Sequence, residues 1–396
     1  MKKRLDLIFT GNGFENFLLY KDVGLLPYYL KKEYDLEVKI ICSNRKKKIQ
    51  NNFRGMEIIE LKYYFFGKVF EKILKFKILK FFNYYKYLLK NAKKINYLML
   101  FHIGLDKFFL VLLYRFLNKS GKIYIKMDSD ISGVLNSNNE NTSFIRKIQK
   151  IFLKNLIKRI DLISIETKEA YEEILKSSLY NMDISNKITY IPNGFDEEYL
   201  KENDIKVKSF EEKENIMITV GRIGTEQKNN EMLLESLDGI DLKNWKIFII
   251  GSYTKEFKNK YDEFIKNNQD KKESVILTGN IEDKNLLYDY YNKEKVFLLT
   301  SRYESFGIVL SEALRFGEYI ITTDVGAAKD ITDNGNIGAI TEIENITQFR
   351  NEILKVLNDK INLEEKYDKS LELSKKQFLW NEIVKNKKFK EFFNEE

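Results

Sequence analysis

Histidine, cysteine and proline are nearly missing from this 396-residue chain, which has one His, one Cys and two Pro. The single cysteine, Cys42, excludes an internal disulfide. It follows the apolar run 38–41 with no basic or histidine partner evident, and so reads as a buried structural thiol. The single histidine, His102, argues against a histidine-rich metal centre. Two prolines leave no room for a Pro-rich linker. No window reaches the roughly 20 apolar residues of a membrane span. The apolar stretch 5–9 is interrupted by Asp6 and is shorter than the core of a secretion signal. These absences predict a cytoplasmic chain.

What is present is a large apolar fraction, 43% hydrophobic and 14% aromatic, beside 32% charged residues. That suffices for two ordinary cores and predicts two or three domains. The charge is unevenly spread. Residues 1–196 hold 36 Lys and Arg against 20 Asp and Glu, a net of +16, and the remainder nets −8. Halves of opposite sign predict domains with different partners, the basic one facing something anionic.

Short apolar runs alternate with helical patterns. Strands are predicted at 5–10, 38–42, 98–103, 123–127 and 162–165, with helices at 23–33, 146–159 and 168–175. A second series gives strands at 216–220, 246–250, 275–279, 296–300 and 319–322, with helices at 229–237 and 307–316. Such alternation implies parallel βαβ units, here two doubly wound α/β domains. The boundary is expected at 190–196, where Pro192 stands beside an Asn-Gly turn.

Two motifs carry chemistry. In Glu304-Ser-Phe-Gly-Ile-Val-Leu-Ser-Glu312 the two glutamates enclose seven residues, and Gly307 permits close backbone approach at a helix start. A helix N-terminus offers unpaired N–H groups to phosphate. Spacing alone leaves an ordinary, well-started helix equally open. In Val220-Gly-Arg-Ile-Gly-Thr-Glu-Gln-Lys228, Arg222 and Lys228 stand in a loop that opens a helix. They would neutralise a diphosphate, Arg by its fork and Lys as a point charge. A lone pair of loop cations is otherwise usually solvated.

Taken with the strings 298–307, 311–317 and Ile191-Pro-Asn-Gly-Phe-Asp196, these motifs resemble the retaining GT-B glycosyltransferases with two such glutamates. This is the family 4-like group, "glycosyl transferases group 1", which includes sucrose synthases and many bacterial mannosyl- and glucosyltransferases. The resemblance covers residues 160–345 well and the first half loosely. It implies GT-B architecture, two Rossmann-like domains facing a central cleft. An acceptor domain would span 1–192, a donor domain 193–376, and a final helix, 377–396, would return to the first domain. It implies that Glu304 meets the donor sugar, Glu312 the ribose, and the backbone of Phe306, Gly307 and Ile308 the diphosphate. Arg222 and Lys228 would act on the leaving group. Gly221, Ile281 and Ser305 complete the expected donor set.

In the first half the family has a Gly-rich loop. Gly11-Asn12-Gly13 and the stretch 21–24 both remain candidates. His102 reads either as a core residue or, by resemblance, as a site residue facing the sugar. Asp128-Ser-Asp130 has the form of a metal-binding D-x-D pair, but the GT-B resemblance favours a loop lining the cleft and no required metal. Residues 62–94 hold ten lysines and one acid among many aromatics. Lys68, Lys72 and Lys75 share one helical face, which reads as an anchor for an anionic membrane surface on the inner face of the cell membrane. A domain helix with solvated lysines is the plainer alternative. No nucleic-acid recognition fold is apparent.

The expected activity is therefore transfer, with retention, from a nucleotide-diphosphate sugar to a cell-envelope glycan, lipid-linked or protein acceptor. UDP-sugars are favoured over GDP-sugars. A nucleotide-sugar epimerase or a non-catalytic nucleotide-sugar-binding subunit on the same fold is the alternative.

Overall fold

The structure is a computed structural model that describes residues 2–11, 13–43, 48–61, 82–128, 131–138 and 144–394. Much of the basic aromatic stretch, including Lys68, Lys72 and Lys75, lies outside the described residues, as does Asp130. The chain divides into two units, Met1–Pro192 with Ile383–Glu396, and Asn193–Glu382.

The first unit is built on an eight-stranded sheet: β1 (Arg4–Ile8), β2 (Glu37–Cys42), β3 (Asn52–Phe53), β4 (Met56–Glu60), β5 (Tyr97–Phe101), β6 (Lys122–Met127), β7 (Leu162–Ile165) and β8 (Ile188–Tyr190). The spatial order is β3-β4-β2-β1-β5-β6-β7-β8. Every ladder is parallel except β3 with β4, a short hairpin. Strand order reverses between β1 and β5, the kind of position where open α/β sheets take ligands.

Successive strand residues face opposite sides. Leu98, Leu100, Ile123 and Ile125 pack with Leu88, Val111, Leu156 and Ile157 of the helices Phe82–Asn91, Leu105–Leu117 and Phe144–Lys158. Each such fully buried side chain contributes roughly 1.5–3 kcal/mol. Tyr97 and Tyr124 point the other way, onto the helix Lys387–Asn394. There Tyr97 meets Phe393 at 4.8 Å and Tyr124 meets Phe389 at 5.4 Å. The Tyr97 hydroxyl also donates to the Phe393 carbonyl at 2.8 Å. The return to the first unit begins at Ile383 rather than 377. Before it, Phe195 donates its amide to the Phe378 carbonyl at 2.7 Å and pairs with Leu379, within the second unit. Cys42 is buried at the end of β2, where burial pushes its thiol up to about 12.

The second unit has a six-stranded parallel sheet: β9 (Ile216–Val220), β10 (Lys246–Ile250), β11 (Val275–Gly279), β12 (Val296–Leu299), β13 (Tyr319–Thr323) and β14 (Gly338–Thr341). Its order is β11-β10-β9-β12-β13-β14, the doubly wound arrangement with its reversal between β9 and β12. Both faces are covered. Met217, Ile247, Val296 and Ile321 enter one core, and Ile218, Ile250, Phe297 and Ile320 the other. Burial on both sides explains why these strands read as continuous apolar runs. At the amino ends of β12 and β13, Glu294 and Glu318 are fully buried beside Lys213. The Lys213 ammonium donates to the Glu294 carbonyl at 2.7 Å. Burial, and for Glu294 also the neighbouring Glu318, holds both acids well above the usual carboxylate range.

Candidate active site

The strand reversal of the second unit brings three expected residues together. Gly221 follows β9, and the loop after it carries Arg222 and Lys228. Glu304 lies in the loop after β12, the adjacent strand. The Lys228 ammonium meets Glu304 Oε1 at 2.6 Å with both side chains nearly buried, at 11% and 9% exposure. The same oxygen accepts from Ser301 Oγ at 2.7 Å. Gln227 Nε2 donates to Glu304 Oε2 at 3.3 Å and to the Tyr303 carbonyl at 3.0 Å. Its own Oε1 accepts from Arg222 Nη2 at 2.5 Å. Arg222, Gln227, Glu304 and Lys228 thus form one continuous chain of charge-assisted contacts. Gln227 and Ser301 are absent from the reading of the sequence. Their only signal there is adjacency to Lys228 and a three-residue step before Glu304.

The loop backbones are locked to each other. The Arg302 amide donates to the Gln227 carbonyl at 2.8 Å, and the Thr300 hydroxyl to the Lys228 carbonyl at 3.0 Å. A Cβ on Gly221 would come within 3.3 Å of Lys228 Cε, so the glycine lets the lysine lie along the strand end.

The helix Ile308–Arg315 starts after Gly307, whose φ of +84° few residues other than glycine accept. Gly326 has φ +54°, and a Cβ there would stand 2.7 Å from the Phe306 carbonyl and 2.9 Å from Glu304 Cβ. That bare backbone lets the turn after β13 support the segment 304–307, where the Ala327 amide donates to the Phe306 carbonyl at 2.9 Å. Ser305 is exposed at this turn. Phe306, Ile308 and Ile281 belong to one apolar cluster. Glu312, one turn into the helix, accepts from Tyr288 at 3.3 Å and Tyr291 at 3.2 Å. Both tyrosines are fully buried. Burial first, and Glu312 second, holds each hydroxyl well above its usual range, so both remain donors that orient the carboxylate.

The first unit holds the other expected residues. Gly11 and Gly13 follow β1 in a tight turn, the Gly13 amide donating to the Gly11 carbonyl at 2.9 Å. His102 follows β5, the neighbouring strand. It is not a core residue. Its side chain is 54% exposed, its backbone lies in the left-handed region at φ +59°, and its Nε2 stands 3.7 Å from Asp128 Oδ2. Behind this pair is a group the sequence did not reveal, the wholly buried Lys126 among Asp22, Asp128 and Glu166.

Residues 201–373 match the family described as glycosyl transferases group 1. The capsular polysaccharide biosynthesis glycosyltransferase CapM of Staphylococcus aureus is 28% identical over 225 residues, which are 53% of this chain and 57% of CapM. This chain spans about half the length of the curated relatives it matches. Among solved structures, the lipopolysaccharide outer core galactosyltransferase WaaB superposes with a TM-score of 0.67 at 16% identity, covering 97% of this chain and 98% of WaaB. Anabaena HepE in complex with UDP superposes with a TM-score of 0.65 at 13% identity, covering 97% of each chain. The chain has the GT-B fold, and the match to the glycosyl transferases group 1 family lies within its second unit.

Proposed function

We propose that the protein is a retaining glycosyltransferase. It takes a sugar from a nucleotide-diphosphate donor, UDP in preference to GDP, to a glycan, lipid-linked or protein acceptor of the cell envelope. The observation that carries this reading is the contact of Lys228 with Glu304 beside the start of the helix Ile308–Arg315. The transferred sugar and the departing diphosphate need opposite treatment, hydroxyls wanting an acceptor and phosphate a cation, and here both stand 2.6 Å apart. Lys228, Arg222 and the first amides of that helix stabilise charge developing on the leaving phosphate. Glu304 holds sugar hydroxyls and Glu312 the ribose. The departing phosphate takes the proton of the attacking hydroxyl on the same face, so the configuration is retained and no metal is needed. The UDP preference rests on the fold shared with the UDP-bound HepE, and the envelope acceptor on the likeness to CapM.

The basic first unit suits acceptors at an anionic membrane surface on the inner side of the cell membrane. Among the described residues, no helix is long and apolar enough to cross a membrane. The helix Phe82–Asn91 exposes Phe82 and Leu89 on a chain segment rich in lysine.

The test is a thermal-shift screen against UDP, GDP, ADP and CMP, each with and without magnesium. UDP should raise the melting temperature without metal, and Arg222→Ala should reduce the shift. Absence of a shift with every nucleotide would remove the donor site. A shift that requires magnesium would overturn the metal-free mechanism.

A further inference from the structure

The helices Leu105–Leu117 and Phe144–Lys158 pack side by side on one face of the first sheet. Phe108 of the first meets Phe152 of the second edge to face, with ring centres 5.1 Å apart. Arg115 Nη2 donates to the Arg159 carbonyl at 2.7 Å, which ties the end of the first helix to the chain just past the second. The inner sides of the pair are core. Leu110, Val111 and Tyr114 on one helix, and Leu156 and Ile157 on the other, are fully buried.

The outer sides are not those of a solvated helix, whose outward face is ordinarily polar. Leu105, Phe109 and Phe116 follow one another at steps of four and seven residues, so they share one stripe of the first helix. All three are exposed, Phe116 by 80%. Ile148, Ile151 and Phe152 form the corresponding stripe of the second, with Ile151 exposed by 59%. This one helix pair therefore holds six of the sixteen large hydrophobic side chains exposed among the described residues. Scattered exposed apolar residues are ordinary, but such a concentration on one rigid surface marks a place of contact.

Charge on the same surface has one sign. The two helices carry seven Lys and Arg against one acid. That acid, Asp106, is paired with Lys107 at 2.6 Å. Phe144–Lys158 has five cations and no acid. Its Lys147, Lys154 and Lys158 are spaced seven and four apart and line one edge of the Ile148–Phe152 stripe. The helix Lys387–Asn394, on the other face of the sheet, is different. It mixes lysines with Glu391 and turns Phe389, Phe392 and Phe393 inward.

Lysine is depleted from protein–protein interfaces. A lipid surface takes both kinds of group at once. Apolar and aromatic side chains enter the boundary below the headgroups, and lysines on flexible stems reach the lipid phosphates. We propose that the paired helices Leu105–Leu117 and Phe144–Lys158 are a docking face for an anionic phospholipid bilayer. The proposal rests on the membrane-surface part of the reading above and assigns to it a face outside residues 62–94. Leu105 stands three residues beyond His102, so this face begins at the carboxyl edge of the first sheet. Docking there brings the bilayer to the side of the first unit on which the expected acceptor residues stand.

The test is co-sedimentation of the full-length protein with phosphatidylcholine vesicles made with and without phosphatidylglycerol. The wild type should bind the anionic vesicles, and raised salt should weaken that binding. Phe116→Ser with Ile151→Ser, and separately Lys147→Glu with Lys158→Glu, should each lower the vesicle affinity about tenfold. All four side chains are exposed, and unchanged melting temperatures would verify the fold without recourse to a nucleotide. Lys387→Glu with Lys390→Glu, on the opposite face, should leave the affinity near that of the wild type. An equal loss in that control would mean attraction by net charge alone and would overturn the proposal. Wild-type affinity in the two face variants would also overturn it, while leaving the membrane reading intact. Failure of the wild type to bind either vesicle would sink both, and none of these outcomes touches the transferase chemistry.

Discussion

At the carboxyl edge of the first sheet Lys126 is wholly buried and meets three carboxylates. At the same edge of the second sheet Lys228 keeps 11% of its side chain exposed and meets one, Glu304. Lys228 stands at the strand reversal of its doubly wound sheet, where ligands collect, whereas Lys126 lies on β6, one strand away from the reversal of its own. In the first unit the ammonium is committed to protein and organises other groups. In the second it is held by a single carboxylate and lies against the bare backbone of Gly221, so a ligand anion can share it. Burial depth and partner count separate a positioning charge from a contacting one.

The sharpest way to break this comparison is stability. Lys126→Met leaves buried carboxylates without their cation and should cost about 3–5 kcal/mol. Lys228→Met, nearer to solvent and with Glu304 still bonded by Ser301 and Gln227, should cost about 1 kcal/mol. Equal losses in denaturant midpoints would erase the distinction. Activity should show the reverse pattern at the donor. Lys228→Ala and Glu304→Ala should each lower kcat about 10²–10³-fold with the fold retained, measured by steady-state transfer. Wild-type turnover in either would remove the site assignment. Gly326→Ala tests the backbone part of the second site. Its new Cβ must displace the Phe306 carbonyl or Glu304, so UDP affinity should fall about tenfold, at a stability cost of about 1–2 kcal/mol.

The smallest effect is in pH. Glu166 has a folded value of about 8 against 4.5 for a free glutamate. The folded state therefore holds the proton more tightly across that window. Stability is full below about pH 4.5 and falls as pH rises toward 8. Glu318 in the second unit is raised in the same sense, by burial first. Glu166→Gln and Glu318→Gln should each flatten the alkaline fall, by about 1 kcal/mol for Glu166→Gln, read from melting temperature against pH.

The two regions also differ in how far the sequence disclosed them. In the second unit, strands buried on both faces stand out as apolar runs, and five of its six strands are placed within a residue or so. Strand β14 escapes because Gly338–Thr341 is short and opens on glycine. In the first unit the hairpin β3–β4 is hidden because the register of Met56–Glu60 mixes apolar and acidic residues. The helix Leu105–Leu117 is hard to read in the sequence because its apolar residues run almost without interruption. Arg222, Lys228, Glu304 and Glu312 are legible as motifs. Their joining through Gln227 is not, since it depends on two loops 76 residues apart. Lys126 is the extreme case. Within Lys122–Met127 it looks like an outward-facing charge, and only the order β5-β6-β7 together with the start of the helix Asp22–Glu33 gathers its partners. A charged residue in an apolar strand discloses its role only once its neighbours in space are known.

The central claim, that the second unit binds a nucleoside diphosphate through Lys228, is tested most directly by calorimetric titration of UDP into wild-type protein and Lys228→Ala without magnesium. The account predicts metal-free binding by the wild type and a loss of about 2–3 kcal/mol of binding free energy in the variant. Equal affinity in the two proteins, or binding only when magnesium is added, would contradict it.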